Sequence, residues 1–151
     1  MNAAHLHLMF THLPIVGLGM AVLINLYALI NKSNELKKLT LLVYLVIGAF
    51  ALLAYLTGDG AEEIIKTYPG ISQDMIETHE NMALIFFIGL MVLAGIAAIG
   101  LYITKTKEIL LKKFNVYALI VAVLLCILAF ETGSTGGDIR HSEIKQGLYK
   151  K

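Results

Sequence analysis

The sequence contains one cysteine and few charged residues. Cys126 is the only thiol, so no disulfide can form within the chain. Charged residues make up 15% of the sequence and hydrophobic residues 58%. Because a soluble domain normally carries about a quarter charged residues, this composition excludes an ordinary soluble globular protein. The formal net charge of +1 also argues against a nucleic acid as partner.

The sequence also lacks the short motifs of common enzyme classes. It contains no recognisable Ser/His/Asp or Cys/His nucleophile set and no phosphate-binding loop. The sequence therefore gives no independent support for an enzymatic activity, and it does not decide whether any reaction is catalysed.

Four long apolar runs account for the composition. They cover about residues 8–30, 39–57, 82–103 and 114–131. At ~1.5 Å per helical residue, each run is long enough to cross a hydrocarbon layer of ~30 Å. No Lys or Arg precedes the first run and no small-x-small cleavage site follows it, unlike a signal peptide. The sequence therefore predicts an all-α membrane protein, with residues 1–151 forming one four-helix bundle in the lipid bilayer.

Lysines are concentrated in the first and third connections between these runs. Two crossings separate the two connections, so both lie on one side, which the positive-inside rule assigns to the cytoplasm. Their lysines are Lys32, Lys37, Lys38, Lys105, Lys107, Lys112 and Lys113. Both termini and the long connection 58–80 are then predicted to lie outside, which is the periplasm for a bacterial inner-membrane protein.

The connection 58–80 carries signals for helix ends and turns. Thr57-Gly58 predicts the end of the second helix, and Asp59 is a suitable N-cap for a short surface helix at about 61–67. Ser72 is predicted to cap a further helix that continues into the third span.

The two halves of the chain share short motifs. Thr11-His12 opens the first span and Thr78-His79 opens the third, whereas Thr57-Gly58 closes the second and Thr132-Gly133 closes the fourth. One interpretation is a duplicated helical hairpin with a pseudo-two-fold axis along the membrane normal. The other interpretation is a chance similarity of short motifs in apolar sequence.

All five histidines and most of the acidic residues fall on the predicted outer side. His12 and His79 lie at the edge of an apolar run, where a polar group is costly and usually marks a site. The remaining histidines and each single carboxylate are also compatible with ordinary solvated residues. Glu131, next to Phe130 in the last turn of the fourth run, is predicted to pair with Arg140 or a histidine. The candidate metal ligands are His5, His7, His12, Asp59, Glu62, His79, Glu80, Asp138 and His141.

Several stretches resemble a family of small uncharacterised bacterial four-helix membrane proteins, and the resemblance covers nearly the whole chain. The stretches are Ala4-His5-Leu6-His7-Leu8, Thr11-His12-Leu13-Pro14, Thr57-Gly58 to Ala61-Glu62-Glu63, His79-Glu80 and Gly136 to Ile144. Related predicted membrane domains occur beside, or fused to, c-type cytochrome modules. The resemblance therefore implies redox work and a periplasmic redox partner such as a c-type cytochrome, but no role for an individual residue.

The leading functional prediction is a b-type haem protein that transfers electrons. Four-helix bundles hold cofactors between facing helices, and His12 and His79 would supply both axial ligands from spans one and three. His7 and His141 are spare ligands, and Arg140 would meet the propionates. The alternative is a non-haem Fe, Cu or Zn site built from the histidines and carboxylates. A third hypothesis is a small transporter or assembly factor without cofactor, and a homodimer is compatible with each hypothesis.

Overall fold

In a computed structural model of the protein the described residues are 2–140, and the regular secondary structure in this range is helical. This range contains six α-helices, one π-helical turn and one 3-10 turn. They are α1 (Ala3–His12), the π-helical turn (Leu13–Gly17), α2 (Leu18–Ile30), α3 (Asn34–Leu56), α4 (Gly58–Ile65), α5 (Gln73–Ile103), the 3-10 turn (Glu108–Leu110) and α6 (Leu111–Arg140).

Four helical segments of the described chain are long and apolar enough to cross a membrane. They are Ala3–Ile30, which joins α1, the π-helical turn and α2, then Asn34–Leu56, Gln73–Ile103 and Glu108–Ile139. The predicted four-helix bundle is therefore confirmed. All four segments extend beyond the apolar runs into more polar sequence.

The four spans pack in a ring that follows chain order. α5 lies between α3 and α6, and α2 packs against both α3 and α6, so the first and third spans stand diagonally across the bundle. The core contains the fully buried Leu18, Tyr44 and Leu93. Large apolar side chains such as Leu23 and Phe130 point outward and are exposed, as expected for surfaces that face lipid.

Two glycines allow close approach of neighbouring spans. A Cβ atom on Gly48 of α3 would stand 2.7 Å from the Cβ of Ala94 on α5. A Cβ atom on Gly89 of α5 would overlap a methyl group of Leu125 on α6. Small residues that let helices approach closely are typical of membrane helix contacts.

The two ends of the bundle differ in chemistry. We call the end formed by α1, α4, the first turns of α5 and the last turns of α6 the histidine end. The opposite end, with the connections 31–33 and 104–110, is the lysine end. There Lys38 pairs with Glu108 at 3.2 Å. Lys37 is buried, and its ammonium group donates to Asn34 Oδ1 at 3.1 Å.

The helix boundaries at the histidine end agree in part with the sequence predictions. Thr57 follows the last residue of α3, and the Ser72 side chain accepts from the Met75 N–H at the start of α5. α4 begins at Gly58, earlier than the predicted start at about 61. Its N-cap is Thr57 rather than the predicted Asp59, which stands in the first turn.

The fourth span does not end where the sequence suggested. The prediction that Thr132-Gly133 closes it is wrong, because α6 continues to Arg140 without interruption. The helix therefore extends about two turns past Gly133 and brings Thr135 and Gly136 into the histidine end.

Candidate functional site

A change of helix geometry in the first span opens space at the histidine end. Pro14 has no N–H to continue the hydrogen-bond ladder, and Leu13–Gly17 adopts a π-helical turn. In the described chain α1 packs mainly on α3 and α4, whereas α6 is contacted by the π-helical turn and α2. The first span therefore leaves α6 as it reaches the histidine end.

A cavity of about 850 Å³ lies in this space, between α1, α3, α4, α5 and α6. Its volume falls in the range of ~300–1,000 Å³ that is typical of cofactor and ligand sites. The walls are mainly apolar and include Ile15, Ile76, Phe86 and Leu90. Six of the predicted ligand residues line it, namely His7, His12, Asp59, Glu62, His79 and Glu80.

His7 projects from α1 towards the end of α3 and is partly buried. Its Nδ1 lies 2.9 Å from the carbonyl oxygen of Ala54 and 3.4 Å from Oγ1 of Thr57. A carbonyl oxygen can only accept, so Nδ1 carries the hydrogen. The other ring nitrogen, Nε2, is then left with a free lone pair, as in a neutral histidine ligand.

His79 is held in a corresponding way on the other side of the cavity. Its Nδ1 lies 3.0 Å from Oγ1 of Thr135 on α6. The single hydrogen of the Thr135 hydroxyl has two main-chain carbonyls of α6 as acceptors, that of Glu131 at 3.0 Å and that of Thr132 at 3.1 Å. The hydroxyl oxygen therefore accepts from Nδ1–H, and Nε2 of His79 also keeps its lone pair.

The two anchored histidines occupy equivalent places in the two hairpins. Each stands on the first helix of its hairpin and is held by the end of the second helix. His7 precedes its threonine neighbour Thr57 by 50 residues, and His79 precedes its partner Thr135 by 56. The rings lie on diagonally opposite spans, and both line the cavity. The geometry therefore relates His79 to His7 rather than to His12.

His12 and His5 differ from this anchored pair. His12 lines the cavity but is exposed, and its Nδ1 donates to the carbonyl of Leu8 on its own helix. His5 is exposed and stands outside the cavity lining. The sequence assigned the leading position on the first span to His12 and a spare role to His7, whereas the structure gives His7 the more buried and better anchored place.

The carboxylates lie along the α4 and α5 side of the cavity. Glu62 forms an ion pair with Lys66 one helical turn later. The lysine and then the adjoining Glu80 carboxyl lower the pKa of Glu62, and Glu62 in turn raises the pKa of Lys66. Asp59 is exposed in the first turn of α4.

Two threonines of α6 that the sequence did not predict as site residues belong to the cavity region. Thr135 holds His79, and Thr132 lines the cavity with only 6% of its surface exposed. Within the described chain the Oγ1 atom of Thr132 has no hydrogen-bond partner. The only signal for these residues in the sequence is their spacing of three after the fourth apolar run, which predicts a common helix face if the helix continues.

Two further predicted residues, Asp138 and Glu131, do not line the described cavity. Asp138 is partly buried, lies outside the lining and has an interaction of its own. The side chain of Arg140 and the whole of His141 lie outside the described residues. Glu131, predicted to be partnered, is exposed.

Among residues 2–140, no three His, Cys, Asp or Glu side chains form a group that could hold a metal ion. The arrangement there is instead a pair of anchored histidines that line one cavity together with carboxylates. Comparisons with protein-family models, with curated proteins and with solved structures give no match to this chain.

Proposed function

We propose that the protein binds a b-type haem in the cavity at its histidine end and transfers electrons through it, with His7 and His79 as axial ligands. The observation that carries this proposal is the matched anchoring of the two rings. In each ring Nδ1 donates its hydrogen to a neighbouring helix, and Nε2 keeps its lone pair.

The ligand chemistry supports a haem. Histidines that bind a metal usually donate their second ring nitrogen to a carbonyl or another acceptor, which fixes the tautomer and the ring orientation. Four-helix bundles place cofactors between side chains of facing helices, and haem iron accepts axial histidines. His7 and His79 stand on diagonal spans, so the macrocycle would lie between them.

The cavity walls also suit a flat, mainly apolar group. Ile15, Ile76, Phe86 and Leu90 provide apolar surface. The carboxylates of Glu62 and Glu80 would repel the haem propionates. The propionates are therefore expected to leave the cavity on the side of α6.

Charge distribution supports an orientation for the proposed site. The lysine end carries most of the lysines of the described chain, so the positive-inside rule favours the cytoplasm for that end. The histidine end would then face the periplasm of a bacterial inner membrane. A haem at the histidine end could exchange electrons with a periplasmic partner such as a c-type cytochrome. A partner of this kind is what the resemblance to the family of small bacterial four-helix membrane proteins implies.

The test is an optical spectrum of the protein purified in mild detergent, together with elemental analysis. The wild type is expected to show an intense Soret band and one iron per chain. His7→Ala and His79→Ala should each lose the haem or its bis-histidine spectrum, while both variants still insert into membranes. His12→Ala is the matched control, because His12 lines the same cavity from the same helix but is exposed.

The outcomes separate the candidate functions. Bound Fe, Cu or Zn without a Soret band, lost on changing His7, His79 or Glu62, would replace the haem proposal by a non-haem metal site. Haem lost in His12→Ala and kept in His7→Ala would restore the ligand pair predicted from the sequence. A wild type with neither haem nor metal after expression with added haem and iron would contradict both functions.

A further inference from the structure

Three polar residues meet inside the membrane-spanning part of the bundle, far from the histidines. They are Asn25 of α2, Tyr44 of α3 and Asn115 of α6, and each has 0% of its surface exposed. Asn25 lies about 7 Å from the end of α2, at 1.5 Å per residue, which places the cluster in the half of the bundle next to the lysine end. Buried polar groups in a membrane are costly and usually have a purpose.

The hydrogen bonds of the cluster connect three of the four spans. The side-chain amide nitrogen of Asn25 donates to the Tyr44 hydroxyl at 3.2 Å and to the main-chain carbonyl of Asn115 at 3.1 Å. The amide nitrogen of Asn115 donates to the carbonyl of Leu111 at 3.0 Å. Both N–H groups of Asn25 are therefore in use.

The acceptors of the cluster are not all satisfied by the protein. Within the described residues, Oδ1 of Asn25 and Oδ1 of Asn115 are buried without a hydrogen-bond partner. The Tyr44 hydroxyl accepts from Asn25, so its own hydrogen is free to be donated. The cluster therefore presents two acceptors and one donor at a junction of three helices.

Rotation of the Asn25 amide by 180° does not resolve this imbalance. It would allow Tyr44 to donate to Oδ1. It would also place that oxygen about 3.1 Å from the Asn115 carbonyl oxygen, at the distance where the amide nitrogen now stands, with no hydrogen between the two. The present orientation of Asn25 is the one that the Asn115 carbonyl requires.

We infer that this junction binds one internal water molecule, which donates to Oδ1 of Asn25 and Oδ1 of Asn115 and accepts from the Tyr44 hydroxyl. Buried waters typically make about three hydrogen bonds to polar groups that would otherwise be unsatisfied, which is the number available here. The water would join the first, second and fourth spans. The site does not depend on the proposed haem and contains none of its residues.

A sodium ion is the main competitor, since two amide oxygens are suitable cation ligands. Both ligands are neutral, however, and the Tyr44 hydroxyl carries a hydrogen that repels a cation unless it turns away. Among the described residues, Asn25, Tyr44 and Asn115 hydrogen-bond only to each other and to Leu111, so no carboxylate is bonded to the cluster. A water satisfies every one of these groups without adding a buried charge.

The direct test is a structure of the full chain at a resolution that shows ordered water. One density peak is expected within about 3.2 Å of both Oδ1 atoms and of the Tyr44 hydroxyl oxygen. Contact of Tyr44 with Oδ1 of a rotated Asn25, or a junction closed by direct side-chain contacts, would overturn the inference.

A second test uses infrared spectra of the protein in detergent with normal and ¹⁸O-labelled water. The wild type is expected to show an internal-water band that shifts with the isotope and disappears in Asn25→Leu and Asn115→Leu. Tyr44→Phe removes one of the three bonds, so the band should persist at a changed frequency. Tyr117→Phe, at an exposed tyrosine of α6, is the matched control and should leave the band unchanged.

These measurements decide the inference even if a leucine variant fails to fold, because the wild type and Tyr44→Phe suffice. No isotope-sensitive band in the wild type would overturn it. A melting temperature that rises in sodium chloride but not in choline chloride at equal ionic strength, and no longer does so in Asn115→Leu, would assign the site to a cation instead.

Discussion

Gly136 lies directly against the imidazole of His79. A Cβ atom on Gly136 would stand 3.1 Å from Cε1 and 3.5 Å from Nδ1 of that ring. Gly136→Ala is therefore expected to push the ring away from Thr135 by a few tenths of an ångström. If His79 is a haem ligand, haem affinity should fall by roughly tenfold, as for other changes behind a metal ligand. Haem titration followed by the Soret band measures this.

The matched control for this change is Gly95→Ala. Gly95 stands inside a helix, α5, as Gly136 does in α6, but a Cβ on Gly95 meets no atom within 4 Å, so haem binding should not change. Equal effects of the two alanines would show that the change acts through helix propensity rather than through His79.

Thr135 is expected to tune the same ring. Thr135→Val keeps the shape of the side chain but removes the oxygen that accepts from Nδ1 of His79. The ring should then donate less electron density to a bound iron, so the haem potential should become more positive and affinity should fall by about 10–100-fold. Thr135→Ser restores an acceptor and should recover most of both properties. A potential that is unchanged in Thr135→Val would exclude this role.

The gathering of histidines at one end was predictable because membrane spans have a fixed length and alternate in direction. The four apolar runs and the parity of the crossings place His5, His7, His12 and His79 on one side without any knowledge of packing. Fold class follows from the same argument, since a helix satisfies its own backbone groups in lipid.

The identity of the inner histidine on the first span was not predictable. His12 follows a threonine at the edge of an apolar run, as His79 does, but edges of apolar runs do not fix the face of a helix. The π-helical turn at Leu13–Gly17 changes the facing of α1 relative to α2. No sequence rule predicts such a turn from Pro14 alone. With this turn in place, His7 lies on the face of α1 that lines the cavity.

The continuation of α6 was missed for a different reason. Thr132, Gly133, Gly136 and Gly137 give a signal that normally ends a helix. In this chain the small residues allow α6 to pass close to His79, and that tertiary contact outweighs the local preference of glycine for helix ends.

Gly48 is expected to limit the stability of the bundle. Gly48→Ala would bring a methyl group to 2.7 Å from the Cβ of Ala94, an atom that can move only with its helix. Overpacking of this kind typically costs about 1–3 kcal/mol. Gly19→Ala, where a Cβ meets nothing within 4 Å, should cause little loss. Thermal unfolding in detergent compares the two variants, and equal melting temperatures would contradict this close packing.

The ion pair on α4 should be visible in the titration of Glu62. Because Lys66 lowers the folded pKa of Glu62 from its ordinary 4.5, the pair stabilises α4 above that value. The contribution disappears as the pH falls through the lowered pKa. Lys66→Gln should raise the Glu62 midpoint part of the way back, since Glu80 also contributes. Carbon-13 NMR of labelled glutamate measures the midpoint. Lys105→Gln, at the lysine end, is the control, and an unchanged midpoint in Lys66→Gln would exclude the pairing.

The orientation of the chain can be tested by labelling single cysteines in intact cells. Lys38 and Lys107 are exposed at the lysine end, and Glu63 and Thr67 are exposed at the histidine end. A membrane-impermeant thiol reagent should label Glu63→Cys and Thr67→Cys but not Lys38→Cys or Lys107→Cys until the cells are opened. The native Cys126 lies within α6 and should stay unlabelled, so the wild type reports background. Seven lysines lie in or beside the two connections of the lysine end. The reverse labelling pattern would place these lysines outside the cell, which the positive-inside rule disfavours. That pattern would place the histidines in the cytoplasm and exclude a periplasmic electron partner.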